Sequence, residues 1–339
     1  MKNIVFFAII SMLFSCSAGK QNITNDGNDK ELTVMFYNVE NLFDTADDPL
    51  TDDEEFTPGG KNAWTKERYS KKVGDLAKVI ASVDAELPEI VGLCEVENRM
   101  VVDDLFASQA LTSGKYEIIH RESPDGRGID CALAYRPDAI LFDKQLFYRP
   151  TLPAGDRPDT RLLLYARGIK GKDTLHVFVN HWPSRSGGQE ATEPKRMALA
   201  TLVREKVDSI IQTSADARIL LMGDFNDYPD NKSIREVLQA SGSQDGFMFN
   251  FMDEFQRKGE GTYYYKGEWG CLDQFITSGS MVKSGSGITA PTGSAKIFQE
   301  EWLLYTSSDG KVAPNRTFGH EYFGGYSDHL PIVLQMQVK

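Results

Sequence analysis

Several apolar runs in the 339-residue chain end in residues able to ligate a cation, donate a hydrogen bond or move a proton. Asn38 and Glu40 close LTVMFYNVE, and Glu95 closes EIVGLCE. His181 follows TLHVFVN, Asp224 and Asn226 end ARILLMGDFN, and Asp273 lies inside LDQFITS. Asp328 and His329 stand side by side in GGYSDHLPIVLQMQV, just before the last apolar run. Neighbouring strand residues point to opposite faces, so this Asp–His pair can share a site only at a strand mouth. Taken singly, each residue has an ordinary alternative. Asn38 can cap a turn, Glu95 can face solvent, and Asp224 can close an Asx-turn. Their repetition at strand ends, where sites form in layered sheet proteins, carries the functional reading.

The chemistry of such a set is coherent. Carboxylates and amides are hard oxygen ligands that favour Mg²⁺, Mn²⁺ or Ca²⁺ over zinc. A divalent ion on a phosphate oxygen offsets developing charge and orients or acidifies a water. Histidines beside carboxylates hold a tautomer, donate to phosphate oxygens or carry protons. Asp273 and His329 make one such pair if the final turn folds against the LDQF strand. Arg185, in HWPSRSGG, has a guanidinium fork that suits phosphate oxygens, although a surface-loop role fits it equally. Trp182 and Trp269 flank these residues and could stack on a base or sugar, with packing as the ordinary alternative.

These residues need strands and helices to hold them. LTVMFYNV (32–39) reads as a first strand, and TKERYSKKVGDLAKVIAS (65–82) as an amphipathic helix with Tyr69, Val73, Leu76, Ala77 and Ile80 on one face. EIVGLCEV follows Pro88 as a buried strand. CALAYRP, ILFDKQLFY, RLLLYARGI and TLHVFVNHW read as four strands with no helix between them. A second helix is expected from about Pro194 to Ile211, with Lys195 and Arg196 on its exposed first turn. Strands at ARILLMGDF, TYYYKG, LDQFITS and PIVLQMQV complete an α+β layered architecture. The acidic run DTADDPLTDDEEF (44–56) lacks calcium-loop ligand spacing and reads as a solvated loop.

Length and composition are those of a globular protein with a sizeable core. A formal charge of −12 argues against coating duplex nucleic acid by charge alone. Residues 1–15 carry Lys2 and a short apolar run and fit an export signal. LFSC resembles a bacterial lipobox, which would make Cys16 the lipidated first residue of an exported chain anchored to a bacterial membrane. Residues 16–30 read as a polar tether, and 31–339 as one domain. Cys94, Cys131 and Cys271 show no CxxC spacing and are odd in number, which argues against zinc or a disulfide framework.

Read in order, YNVEN, GLCEVEN, VNHWPSR, GDFND, LDQF and SDH resemble the motifs of the endonuclease/exonuclease/phosphatase superfamily. These are metal-dependent phosphoesterases that include deoxyribonuclease and apurinic endonucleases. The likeness spans roughly residues 31–338. It implies an α/β (α+β) four-layer sandwich, two packed mixed β-sheets flanked by helices, with the site at one end. It also implies Glu95 as the metal-ligand glutamate, Asn38 arranging the metal and phosphate end, and Glu40 and Asp328 beside the metal. Asp224 and Asn226 match the pair that positions the attacking water, Asp273 the carboxylate that orients His329, and His181 the histidine at the scissile phosphate. Many relatives carry glutamine where this chain has Cys94, a change expected to disturb the surroundings of Glu95 more than ligation.

The activity implied is a phosphodiester hydrolase dependent on Mg²⁺, with Mn²⁺ or Ca²⁺ as substitutes, acting as a monomer on DNA, RNA or short oligonucleotides. The same fold serves phosphomonoesterases and lipid- or inositol-phosphate phosphatases. A binding lipoprotein that has lost catalysis is a different class, and the presence of Glu95, Asp224, Asn226 and His329 argues against it.

Overall fold

The computed structural model describes residues 31–154 and 159–339. The export signal, Cys16 and the 16–30 tether lie outside the described residues. Alternating apolar residues along the long strands produce two seven-stranded sheets. The first holds β1 (Glu31–Leu42), β2 (Ile90–Val96), β3 (Glu117–His120), β4 (Asp130–Tyr135), β14 (Ile288–Thr289), β15 (Ala295–Ile297) and β18 (Ile332–Val338). Its order is β14-β18-β1-β2-β4-β3, with β15 also paired to β18. The second holds β5 (Leu141–Tyr148), β6 (Leu163–Lys170), β7 (Asp173–His181), β8 (Arg218–Asp224), β9 (Ala240–Ser241), β10 (Met248–Asn250) and β13 (Asp273–Ser278). They run in the order β5-β6-β7-β8-β13-β10-β9. Two small hairpins, β11 (Tyr263–Tyr265) with β12 (Glu268–Gly270) and β16 (Leu304–Thr306) with β17 (Val312–Pro314), stand outside the sheets.

Leu32, Val34 and Phe36 of β1 point inward and meet Leu220 and Met222 of β8, Phe275 of β13 and Ile332, Leu334 and Met336 of β18. The alternate residues Met35, Tyr37 and Val39 face α1 (Lys66–Val83) and α2 (Arg99–Phe106) through Leu76, Ile80, Val101 and Leu105. On the second sheet, Phe178, Ile219 and Leu221 turn outward onto Leu199, Val203 and Val207 of α3 (Gln189–Thr213). Helix, sheet, sheet and helix thus form four layers. Each fully buried Val, Leu or Phe side chain contributes about 1.5–3 kcal/mol, so all three interfaces between the layers contribute substantially to stability. The sheets approach closely: a Cβ on Gly92 of β2 would lie 2.8 Å from the Met222 methyl of β8. The short helices α4 (Asp253–Lys258) and α5 (Gly279–Lys283) flank the second sheet.

Three expectations need correction. Helix α3 begins at Gln189, so Pro194 lies inside it rather than in its first turn. Arg196 is consequently not a surface residue. It is 0% exposed, and its Nε lies 2.7 Å from Asp227 Oδ1, because α3 packs over the loop that follows β8. The acidic 44–56 run is irregular, with one 3₁₀ turn at Glu54–Phe56, but it is not wholly solvated. Phe56 stacks on Phe43 at 4.1 Å, and Asp53 is buried.

Removing one partner of a buried ion pair leaves the other charge uncompensated, at a cost of about 3–5 kcal/mol. Arg196→Ala is therefore expected to lower unfolding free energy by about that amount in urea titration. A loss below about 1 kcal/mol would show that the Arg196–Asp227 pair is dispensable.

Candidate active site

Strand direction brings the motif residues together. β1 and β2 are parallel, as are β7 and β8, so each pair delivers its polar ends to the same edge of its sheet. β13 runs antiparallel to β8, which sets its first residue, Asp273, opposite the last residue of β8, Asp224. His181 pairs in register with the same aspartate. β18 runs antiparallel to β1, so the turn that precedes it lies beside the end of β1. Ser327 fastens that turn: its Oγ donates to the Asn38 carbonyl at 2.7 Å and accepts from the His329 N–H at 3.1 Å.

The backbone departs from regular pleating where the chemistry sits. Register shifts interrupt the β1–β2 ladder between Asn38 and Leu42 and the β2–β4 ladder between Cys94 and Val96. Glu40, Asn41, Glu95 and Asn226 all have left-handed φ angles, between 50° and 63°. Non-glycine residues hold such conformations at a cost of about 1–3 kcal/mol, and bulges of this kind re-aim side chains. Gly223 precedes Asp224 where a Cβ would lie 2.2 Å from the Asn180 carbonyl, so only glycine fits.

At the centre, Asn38 Nδ2 donates to Asp224 Oδ2 at 3.1 Å and to Glu95 Oε1 at 3.4 Å. The Asn41 N–H holds Glu95 Oε2 at 3.1 Å. His329 Nδ1 and Asp273 Oδ2 are 2.7 Å apart, and His329 Nε2 is 3.9 Å from Asp224 Oδ2. His181 Nε2 lies 3.7 Å from Glu95 and 3.8 Å from Asp224. The Asn226 N–H donates to Asp224 Oδ1 at 2.8 Å while its Nδ2 donates to the Trp182 carbonyl, which locks the ends of β7 and β8 together. Asn38, Glu95, His181, Asp224, Asn226, Asp273 and His329 therefore form one cluster.

Burial sets the charge states of this cluster. The Asp224 carboxyl is pushed up to about 7 by burial, with Asp273 and Glu95 adding to the effect and His329 opposing it. Burial alone would lower His329, but the Asp273 charge and hydrogen bond, joined by Asp224 and Asp328, raise it well above its ordinary value. His329 is thus an imidazolium. His181 goes the opposite way: burial, then the Arg161 charge, pushes it well below its ordinary value and keeps it neutral. Its Nδ1 is buried without a hydrogen-bond partner, as is Asp273 Oδ1. Cys94 is buried under the cluster, and burial holds its thiol neutral.

Asp224, Asp273 and His329 place one ligand-type atom each within 4.8 Å of one another, a potential acidic–histidine metal site. His329 Nδ1 is taken up by Asp273 Oδ2, which leaves only its Nε2 facing Asp224. Glu95 and Asp224 offer hard carboxylate oxygens around one point, bridged by the Asn38 amide nitrogen, and suit a small divalent ion better.

Three expected site residues, Glu40, Asp328 and Arg185, are held by contacts other than those expected. Glu40, 2% exposed, turns toward the 316–318 segment, where its carboxylate accepts from Arg316 Nε at 3.0 Å, the Thr317 N–H at 2.6 Å and the Phe318 N–H at 3.3 Å. So satisfied, it is poorly suited to ligate a metal. Asp328 accepts from Arg316 Nη2 at 3.2 Å. Arg185 does not reach outward to a phosphate: Nε donates to the Asn226 carbonyl at 2.6 Å, Nη2 to Asn231 at 3.0 Å, and its guanidinium lies 4.0 Å above the Tyr228 ring. It braces the loop after β8. Trp182 is buried edge-on against Phe225 and donates to Asn180, so it packs rather than stacking on a substrate.

Other residues join the site without a motif to announce them. Lys72 on α1 is 1% exposed and donates to Thr317 Oγ1 and the Tyr326 carbonyl, both at 2.6 Å. Burial pushes its ammonium down to about 8, against the pull of Glu40 and Asp328, while burial and Asp328 push Glu40 up to about 8. Arg161 pairs with Asp125 at 2.9 Å and donates to the Trp182 carbonyl at 2.7 Å. The Tyr263 ring lies against His329, centroids 4.8 Å apart and planes tilted by 34°. A recess of about 270 Å³ opens beside Glu95 and is lined by Asn41, Lys61, Arg127, Arg316 and Asp328.

Among curated proteins none matches the chain. Solved structures do. Humanized D. rerio TDP2 aligns at TM-score 0.55 and 15% identity, covering 91% of this chain and 100% of that one. The human Nocturnin catalytic domain with bound sulfate aligns at 0.55 and 15%, covering 91% and 95%. An endonuclease/exonuclease/phosphatase family protein from Bacteroides thetaiotaomicron aligns at 0.54 and 14%, covering 91% and 98%. At these identities the structures share a fold with this chain, the two-sheet sandwich described above. The sequence profile of the Endonuclease/Exonuclease/phosphatase family matches residues 33–338, nearly the whole described chain, and the protein belongs to that family.

Proposed function

We propose that the chain is a divalent-metal-dependent phosphodiesterase of nuclease type, with Mg²⁺ as its ion and a single strand or short oligonucleotide as substrate. The observation that carries this reading is the convergence of Glu95, Asn38, Asp224, Asn226, His181 and the Asp273–His329 pair from both sheets onto one point. Membership of a phosphoesterase family supports it. So does a D. rerio TDP2 structure that holds a single-strand DNA product, although its sequence is only 14% identical to this one.

Glu95 and Asp224 would hold the ion, with Asn38 Nδ2 fixing both carboxylates in place. When bound, the ion neutralises charge on a non-bridging phosphate oxygen. The protein's own groups supply the rest. Asp224, fixed by the Asn226 N–H and Asn38 Nδ2, orients the attacking water and takes its proton on a carboxylate oxygen. The imidazolium of His329 donates from Nε2 to the phosphate, while Asp273 holds Nδ1 and keeps the ring charged. Neutral His181 presents Nε2 to the same point, where it can donate to a phosphate or leaving-group oxygen. Water attacks phosphorus as the opposite P–O bond breaks, and charge is held on both sides of the centre.

The same reading extends to location. Cys16 in LFSC is the proposed lipidation site, which would hold the enzyme at a bacterial membrane after export.

Hydrolysis of bis(p-nitrophenyl) phosphate and of a labelled single-stranded oligonucleotide is expected with Mg²⁺ or Mn²⁺ and lost in EDTA. Glu95→Gln and His329→Ala are each expected to lower kcat by about 10²–10³ or more while thermal unfolding stays near wild type. Turnover unaffected by EDTA, or near-normal rates in either variant, would sink the proposal. Cleavage of the monoester p-nitrophenyl phosphate alone would reassign the enzyme as a phosphatase. For the anchor, Cys16→Ser is expected to move the protein from the membrane to the soluble fraction; an unchanged distribution would remove the lipid.

A further inference from the structure

Glu40 and Asp328 flank the site like a pair of carboxylates waiting for a second cation, yet a cation of the protein already lies between them. Arg316 reaches in with Nε on Glu40 Oε1 at 3.0 Å and Nη2 on Asp328 Oδ2 at 3.2 Å. The Thr317 and Phe318 N–H groups occupy Glu40 further. From the other side, the buried Lys72 ammonium is bound to Thr317 Oγ1 and the Tyr326 carbonyl. Both carboxylates of this half thus already hold one fixed cation, the Arg316 guanidinium. In the other half the contacts to Glu95 and Asp224 come from the Asn38 amide, the Asn41 and Asn226 N–H groups and the His181 and His329 rings. Carboxylates taken out of water demand compensation, which leaves the Glu95 side as the place for an added cation.

We propose that the Arg316 guanidinium serves as a built-in second cation, so that the chain binds one divalent ion, on the Glu95 side. The inference rests on the metal-dependent reading above and goes further by fixing the number of ions and giving Arg316 a task. A dication seated between Glu40 and Asp328 would have to displace a fork held at both ends and would meet its positive charge. Arg316 is also the partner with solvent access. Its side chain is 43% exposed against 2% for Glu40, and it lines the recess that also holds Glu95 and Asn41. From that position it offers a phosphate a permanent positive charge that survives metal removal, in a planar geometry that matches phosphate oxygens.

The test counts ions on the full chain by Mn²⁺ titration, followed by electron paramagnetic resonance of free Mn²⁺ and by calorimetry. Wild type is expected to bind one ion. Arg316→Ala is expected to bind two, because Glu40 and Asp328 lose their cation, while Arg316→Lys keeps a charge there and stays at one. Two ions on wild type would overturn the proposal, and so would a folded Arg316→Ala variant that still binds one. Should Arg316→Ala not fold, the wild-type and Arg316→Lys counts decide: one ion on each supports the built-in cation, and two on wild type reject it. No ion bound by wild type would overturn it by a different route, striking the metal-dependent reading itself.

Discussion

The contact between His329 Nδ1 and Asp273 Oδ2, 2.7 Å long, joins the two sheets. Asp273 opens β13 in the second sheet, and His329 lies in the turn that leads into β18 of the first. The bond from Asn38 on β1 to Asp224 on β8 makes the same crossing. The core between the sheets is built of apolar side chains, whose attraction has no direction and leaves their relative position loosely specified. At this end, charge-assisted bonds set the spacing. Because they are buried, breaking one strands a charge. The same bonds that align the sheets therefore hold the reactive groups in place.

Around this cluster, further charged groups are held in units with their own compensation. Arg196 and Asp227 pair beneath α3, with Ser233 Oγ also donating to the aspartate at 2.6 Å. Arg161 and Asp125 pair beside His181. Lys72, Arg316, Glu40 and Asp328 form the third. These pairs gain little over an apolar core of equal volume; what they provide is fixed orientation around the site. Arg161 shows how that works: it anchors the Trp182 carbonyl that also receives Asn226 Nδ2, and its charge helps keep His181 neutral.

Much of the cluster is legible in the sequence because each member ends an apolar run, and strand direction carries such ends to a common edge. NHW, GDFN, LDQ and SDH are short, local patterns, and local patterns survive reading one residue at a time. What stays hidden depends on distance along the chain. Lys72 sits inside an amphipathic helix pattern and looks like one more solvated lysine, yet its partners lie in the 317–326 segment. Arg316 falls in a stretch with no periodicity at all. Glu40 and Arg185 carry suitable chemistry and adjoin residues of the cluster, but a left-handed backbone at Glu40 and a tyrosine face under Arg185 point both elsewhere. Residue type and adjacency fix what a side chain can do; the bulge decides where it does it. The start of α3 is missed for a related reason: proline at 194 suggests a first turn, whereas packing over the 224–231 loop stabilises a helix that already contains it.

A chain with net charge −12 that handles phosphate must solve its electrostatics locally. A basic nuclease can draw its substrate in by long-range attraction, but this protein's overall field opposes any polyanion. The recess beside Glu95 is lined by Lys61, Arg127 and Arg316 together with Glu40, Glu55, Glu95 and Asp328. Beyond a Debye length of about 8 Å at physiological salt, the distant acidic surface is largely screened. A short anionic ligand that reaches the recess meets this local set of fixed charges rather than the global one. Local compensation makes Arg316, whose guanidinium stays charged across the ordinary pH range, the most dependable cation of the recess.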